Sequence, residues 1–224
     1  MLRFSEDDHR LVTEAVARAE ALSDGEIVTV VAEKSDSYHD VALHWAVLAM
    51  LLVPAAFAAV PQGFVDDLAA VLLGWNAELS RPVAMLAMVV ALAVVFLIVR
   101  VVLAYGPLRM ALTPGCTKNR RVGRRALQLF RIAAEKKTHG RTGVLLYLSL
   151  LEHRAEIIAD EAIHSKVEPE VWGEAMVALI DKVKEGRCGE GMALAVDRIG
   201  AVLAGVLPKT LGDPNQIPDR LIEI

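Results

Sequence analysis

Two uninterrupted apolar runs dominate the chain. Val41 to Val60 (VALHWAVLAMLLVPAAFAAV) holds 20 residues with a single His and no Lys, Arg, Asp or Glu, and Pro82 to Val99 (PVAMLAMVVALAVVFLIV) holds 18 with no charge. At about 1.5 Å per residue the first makes about 30 Å of helix, the thickness of a bilayer's hydrocarbon. A soluble helix of this length shows a polar stripe, and neither run has one, which argues against two buried core helices. If Arg100 snorkels, the second extends through Val101, Val102 and Leu103. Both are expected to span a membrane, the first kinked at Pro54.

Outside these runs the pattern is that of a small globular domain. Residues 5–22 read as a helix, with Ser5 as N-cap, Asp8 three residues on, and an apolar stripe of Leu11/Val12, Ala15/Val16, Ala19 and Leu22. Ser23-Asp24-Gly25 stops it, with Gly25 expected in the left-handed C-cap conformation. Glu26 to Ala32 (EIVTVVA) is short and β-branched, a buried strand. After the second apolar run, Asn119 to Lys137 reads as a helix with Val122, Ala126, Phe130 and Ala133/Ala134 inward. Residues 138–143 are a turn, Val144 to Leu151 a second strand, and Ala155 to Ala159 its antiparallel partner across Glu152-His153-Arg154. Pro169 opens a helix with Trp172, Ala175/Met176, Leu179/Ile180 and Val183 inward, ended by Gly186. A last helix runs from Glu190 to about Leu207, and residues 213–218 form a structured, non-helical tail.

Three short strands and four helices predict an α/β sandwich, a small sheet with helices on its faces, interrupted by a two-helix transmembrane hairpin. The expected organisation is a first part of the domain at 1–40, the hairpin at 41–104 with a short loop at 61–81, and a second part at 105–224. The first strand must then pair with strands encoded beyond the hairpin. Residues 1–40 expressed alone are expected not to fold, and a folded circular dichroism spectrum from that fragment would refute the interrupted domain.

Composition agrees with segregated charge: 54% of the 224 residues are apolar, yet 23% are charged. Residues 1–40 hold 4 basic and 10 acidic side chains, 66–81 three acids and one Arg, 100–141 eleven bases and one acid, and 142–224 eight bases and 14 acids. This excludes a disordered chain, a disulfide-stapled miniprotein and a purely soluble domain. The loop carries Asp66, Asp67 and Glu78, whereas Arg100, Arg109, Lys118, Arg120, Arg121, Arg124 and Arg125 follow the second run. The positive-inside rule therefore expects both termini and the soluble domain in the cytoplasm, with loop 61–81 outside. Trp45, Phe64 and Trp75 are candidate interface residues. The first run lies behind an acidic amphipathic region, too far in for a signal peptide. Cys116 and Cys188 then occupy a reducing compartment and are expected as free thiols.

The globular strings resemble the TPM domain family: AEALSDGEIVTVVAEKSDSYHDVALHW resembles its opening, TGVLLYLSLLEHRAEIIADEAI its central hairpin, and VEPEVWGEAM and DPNQIPDRL match further on. The resemblance covers residues 5–40 and about 110–224. It implies a membrane-tethered bacterial or chloroplast protein with a TPM-like sandwich. Acid phosphatase activity and divalent-metal binding are attributed to parts of that family. One plant lumenal branch is linked to photosystem II repair, and another branch acts as an auxiliary subunit of receptor channels. The common form has a signal peptide and a C-terminal anchor; this chain departs from it by carrying its spans inside the domain.

No serine elbow, P-loop, G-x-G-x-x-G, H-E-x-x-H or C-x-x-C occurs, and Cys116 and Arg121 are separated by four residues rather than the five of a Cys-based phosphatase loop. The candidate metal set lies at the strand ends: Asp24 and Glu26 before the first strand, and Asp160, Glu161 and His164 after the third. Such hard oxygen ligands would suit Ca²⁺ or Mg²⁺, and Asp160 is expected where ligands gather in open α/β sheets. The competing reading makes these residues caps and solvated edges. His153 is expected as a solvated turn residue. The basic segment Lys118, Arg120, Arg121, Arg124 and Arg125 is a candidate for anionic lipid headgroups, favoured by its attachment to a span; no aromatics interleave, which sets nucleic acid aside, and the competing reading is a solvated helix face that only sets topology. Ala84-x-x-Ala87 and Ala91-x-Ala93 permit close helix contact in a membrane. Three functions follow. The first is a non-catalytic bacterial inner-membrane accessory protein, its domain binding a partner and its hairpin docking on another membrane protein complex. The second is a metal-assisted phosphatase, and the third an anionic-lipid surface module.

Overall fold

The structure is a computed structural model that describes residues 4–61, 63–64, 67, 70–71, 80–133, 142–210 and 217–224. The described elements, in order, are α1 (Glu6–Glu20), β1 (Glu26–Ala32), α2 (His39–Ala59), α3 (Arg81–Val102), α4 (Gly106–Ala111), α5 (Gly115–Ala133), β2 (Gly143–Ser149), β3 (Arg154–Ala159), α6 (Glu161–His164), α7 (Pro169–Lys184), α8 (Cys188–Val206) and β4 (Ile222–Glu223). They form two compact units, one made of residues 1–37 and 114–224 and the other of residues 38–113. Loop residues Asp66, Trp75 and Glu78, the turn at 138–141 and tail residues 213–216 lie outside the described residues.

The first unit is a mixed α/β layer structure around a four-stranded sheet of order β3-β2-β1-β4. β1 and β2 run parallel with Glu26 opposite Gly143 and Ala32 opposite Ser149. β3 is antiparallel to β2, and β4, the strand absent from the sequence reading, lies parallel to β1 at Val30 and Val31. Every residue of β1 and β2 is buried, because both faces of the sheet are covered. Alternation sends Ile27, Val31, Val144, Leu146 and Leu148 to a core shared with α1, α7 and α8. The alternate set, Val28, Val30, Ala32, Leu145 and Tyr147, meets Val122, Ala126 and Phe130 of α5. Two-sided burial explains why both strands read as continuous apolar runs.

Ser5 caps α1 in a full capping box: its hydroxyl accepts from the Asp8 amide at 3.1 Å, and the Asp8 carboxylate accepts from the Ser5 amide at 2.8 Å. The exit of α1 corrects the expectation for Gly25. The C-cap is Ala21, in right-handed conformation, and the described glycine with positive φ is Gly186 at 78°. Gly25 is needed instead for space, since a Cβ there would lie 2.9 Å from Leu203 Cδ1. The end of α8 takes over the exit turn, with the Asp24 amide donating to Leu207 O at 3.1 Å. Close approach also governs α8 itself: a Cβ on Gly200 would stand 2.5 Å from Ala19 Cβ, and one on Gly191 3.0 Å from Leu179 O. α5 begins at Gly115, one turn earlier than the sequence suggested, directly after Pro114.

The second unit is built on α2 and α3, packed side by side. α2 buries only Val41, Ala42 and Ala46, and α3 buries none of its residues. Leu51, Leu52, Phe57, Met85, Leu86, Val89, Leu97 and Ile98 are all more than half exposed. α2 enters through Tyr38, a non-glycine residue in left-handed conformation at φ 54°. The Trp45 indole donates to Leu112 O at 3.2 Å, joining α2 to the end of α4.

Candidate functional site

The parallel register decides which end of the sheet the predicted acids occupy. Glu26 starts β1, Gly143 starts β2, and the antiparallel β3 ends beside them at Ala159, paired with Val144. Asp24, Glu26 and Asp160 therefore lie at the amino ends of the parallel pair, opposite to the carboxyl ends where open α/β sheets gather ligands. This corrects the placement expected for Asp160.

Each of the three carboxylates is engaged with a different stretch of backbone. Asp160, buried, accepts from the Gly143 amide at 3.0 Å while its own amide donates to Gly143 O at 2.9 Å. The buried Glu26 accepts from the Ile217 amide at 3.1 Å, tying the C-terminal segment to β1. Asp24 accepts from the Thr210 amide at 2.9 Å and its hydroxyl at 2.7 Å, with Lys209 Nζ at 3.9 Å. The Thr210 backbone bond, then its hydroxyl, hold the Asp24 carboxyl below its ordinary range. Glu161 and His164 are exposed on the four-residue α6. Among the described residues no group of three or more His, Cys, Asp or Glu side chains is placed to share a metal ion. Asp24, Glu26 and Asp160 satisfy backbone amides instead of a Ca²⁺ or Mg²⁺ ion.

The structure adds a residue that the sequence reading passed over. Glu20, 7% exposed, accepts from the Ile27 amide at 2.8 Å and sits beside Glu26 and Asp219, hydrogen-bonding to Asp219. Burial, with the neighbouring carboxylates, pushes its pKa up to about 8. The signal was available: Glu20 lies four residues beyond Val16, on the apolar stripe of α1. Its partners are encoded elsewhere, so the proton it holds was not legible.

At the carboxyl ends, β1 and β2 deliver a partly buried polar network, with Tyr147, Ser149 and Glu152 buried and Ser35 half-buried. Glu152 accepts from the Ser35 amide at 2.8 Å and from the Ser149 hydroxyl, and the Ser35 hydroxyl meets the Tyr147 hydroxyl at 2.9 Å. Burial raises the Tyr147 pKa. His153 turns this corner at φ 49° and is exposed, as a solvated turn residue. Nothing in residue type distinguishes Ser35, Tyr147, Ser149 and Glu152 in the sequence; parallel pairing brings them together.

The basic face of α5 divides in two. Arg120, Arg124 and Arg125 are exposed and Lys118 is half-buried. Arg121 is turned inward, its side chain 12% exposed and paired with Asp36 at 2.8 Å. Arg121 therefore ties α5 to the segment after β1, which removes it from the expected lipid-facing set. Cys116, exposed, and Cys188, buried, are both free thiols.

No family model matches the chain, and no curated protein matches it. Among solved structures, the NMR structure of the BA42 protein from the psychrophilic bacterium Bizionia argentinensis is similar at 14% identity, over 99% of this chain and 95% of that one, with a TM-score of 0.55. At that identity the likeness is one of fold, and this chain shares with that structure a mixed α/β architecture.

Proposed function

We propose that the chain is an integral membrane accessory protein with a TPM-like domain, non-catalytic, that binds a partner through the domain and docks its helical hairpin on another membrane protein complex. The observation that carries this reading is the contrast within the second unit: two charge-poor helices of 21 and 22 residues bury three side chains and none. Water does not tolerate that much contiguous apolar surface on an ordinary soluble protein, whereas a bilayer does. Charge bias orients the hairpin with the soluble domain in the cytoplasm, in a bacterial inner membrane. The engagement of Asp24, Glu26 and Asp160 in backbone hydrogen bonds favours a holding role over a hydrolytic one.

Purifying the tagged full chain from its own membranes in mild detergent, followed by native sizing and mass spectrometry, tests this. A stoichiometric membrane complex is expected. A lone protein that hydrolyses phosphate esters, with activity lost in Asp24→Ala and Asp160→Ala, would overturn it. A second reading, anionic-lipid contact by α5, is favoured by the exposed Arg120, Arg124 and Arg125, each contributing on the order of 1 kcal/mol near a charged surface.

A further inference from the structure

Of the two outer strands of the sheet, β4 has two residues and β3 has six, and among the described residues no strand lies beyond β3. Two hydrogen bonds fix the direction its backbone faces. The Asp160 amide donates to Gly143 O at 2.9 Å, whereas the Leu150 amide donates to Ala32 O, on the opposite side of β2. Direction alternates along a strand, so Arg154, Glu156 and Ile158 turn their amides and carbonyls to β2. Ala155, Ile157 and Ala159 turn theirs to the outer edge, where, among the described residues, they meet no hydrogen-bond partner. Ala155 is only 6% exposed, so leaving its amide and carbonyl unpaired carries a cost. Neither a proline nor a bulge guards this edge.

The side chains alongside are unsatisfied as well. Ile158 packs on the α5 side of the sheet, which places Arg154 and Glu156 on that face too. A Cβ at Gly115 of α5 would lie 3.5 Å from Arg154 Nη2, and one at Gly123 would lie 3.7 Å from Glu156 Oε1. Among the described residues neither Arg154 nor Glu156 has an ion-pair partner, and the buried Arg154 Nε has no hydrogen bond. Burial pushes the Glu156 carboxyl above its ordinary range, with Arg154 opposing.

We propose that two copies of the chain pair edge to edge through antiparallel β3 strands, about a twofold axis at Ala155. In this register Ala155 exchanges both backbone hydrogen bonds with the second copy's Ala155. Arg154 then faces the second copy's Glu156, and Glu156 faces its Arg154, at positions where opposed Cα atoms are about 4.5 Å apart. Charge selects both the register and the occupant. A centre on Arg154 or Glu156 sets like charges against each other. A centre on Ile157 sets Glu156 against Ile158 and turns Arg154 to an Asp160 already held by the Gly143 amide. Only the Ala155 centre gives both side chains an opposite charge. A base-x-acid triplet read antiparallel is its own complement, so the chain itself supplies the strand this edge requires. The interface is isologous and joins two four-stranded sheets into one. It lies wholly in the first unit and does not depend on the membrane reading.

The test sizes the full chain in mild detergent by native mass spectrometry over a range of concentrations. A dimer that grows with concentration is expected. Arg154→Glu and Glu156→Arg each place like charges opposite one another twice, and each should weaken dimerisation about tenfold. Mixing the two variants should restore pairing as a heterodimer, since one chain then presents two acids and the other two bases. The double exchange Arg154→Glu with Glu156→Arg should restore the homodimer, which a purely structural role for either residue would not do. Ala155→Pro removes an outward amide and keeps the bonds to β2; it should give monomer, and it covers the case of a charged variant that fails to fold. A chain that is monomeric at every concentration overturns the proposal. So does a dimer that survives both charge reversals and Ala155→Pro, or a mixture of folded variants that does not pair.

Discussion

Glu20→Gln is expected to stabilise the protein by roughly 3 kcal/mol at pH 7 and to flatten its pH dependence. Glu20 is buried against Glu26 and Asp219, and its pKa rises from an ordinary value of 4.5 to about 8. Below pH about 4.5 the group is protonated in both folded and unfolded chains and contributes nothing to the difference. Between pH 4.5 and 8 the unfolded chain releases the proton while the folded chain keeps it, so stability falls as pH rises. Above about 8 both states are ionised and the loss levels off. At pH 7 holding that proton against an unfolded value of 4.5 costs about 1.4 kcal/mol for each of 2.5 pH units. Gln retains an oxygen for the Ile27 amide and offers an N–H to Asp219, so it reproduces the protonated acid without that cost. Thermal unfolding of the full chain in detergent from pH 5 to pH 9 checks this. A variant less stable than the parent at pH 7, or one with the parent's slope against pH, would show that Glu20 is ionised in the fold.

The second large effect is expected at Gly200, where alanine should cost about 2 kcal/mol. Its Cβ would lie 2.5 Å from Ala19 Cβ and 3.0 Å from Ala19 Cα. The obstacle includes the backbone of α1, so two packed helices must separate rather than one side chain turn aside. Gly205 provides the internal control on the same helix: a Cβ there meets nothing within 4 Å. Gly205→Ala should therefore gain up to about 1 kcal/mol from helix propensity alone. The same chemical change is predicted to have opposite signs five residues apart. Chemical unfolding of both variants tests it, and equal effects would mean that α1 and α8 are less closely packed than described.

Much of the fold is legible along the chain because its signals are local. The 3.6-residue stripe of α1, its Ser5 to Asp8 box, the Pro169 start of α7 and the β-branched run of β1 each depend on neighbours within a few residues. The two apolar runs are legible for the same reason, composition over a helix length. Misreadings arise where contacts come from far away. Gly25 looks like a left-handed cap in isolation, yet Leu203 sets its size limit and Leu207 accepts the turn's amide. β4 has only two residues, too few for a periodic signal, and exists because Val30 and Val31 offer it an edge.

The candidate acids show the same division more sharply. Residue type alone makes Asp24, Glu26, Asp160, Glu161 and His164 equally good ligands. Tertiary structure distributes them, giving Thr210, Ile217 and Gly143 one carboxylate each and leaving Glu161 and His164 in solvent. Likewise Arg121 is indistinguishable from Arg120 in sequence, but Asp36 takes only the first. By itself, then, the sequence determined the helices, the central strands, the two apolar runs and the charge bias, all properties of short segments. Only the tertiary structure decided which end of the sheet holds the acids, which acid keeps a proton and which arginine faces solvent. Hydrogen bonding and desolvation depend on what is brought within a few ångströms, and here those neighbours come from residues nearly two hundred positions apart, as in Glu26 and Ile217.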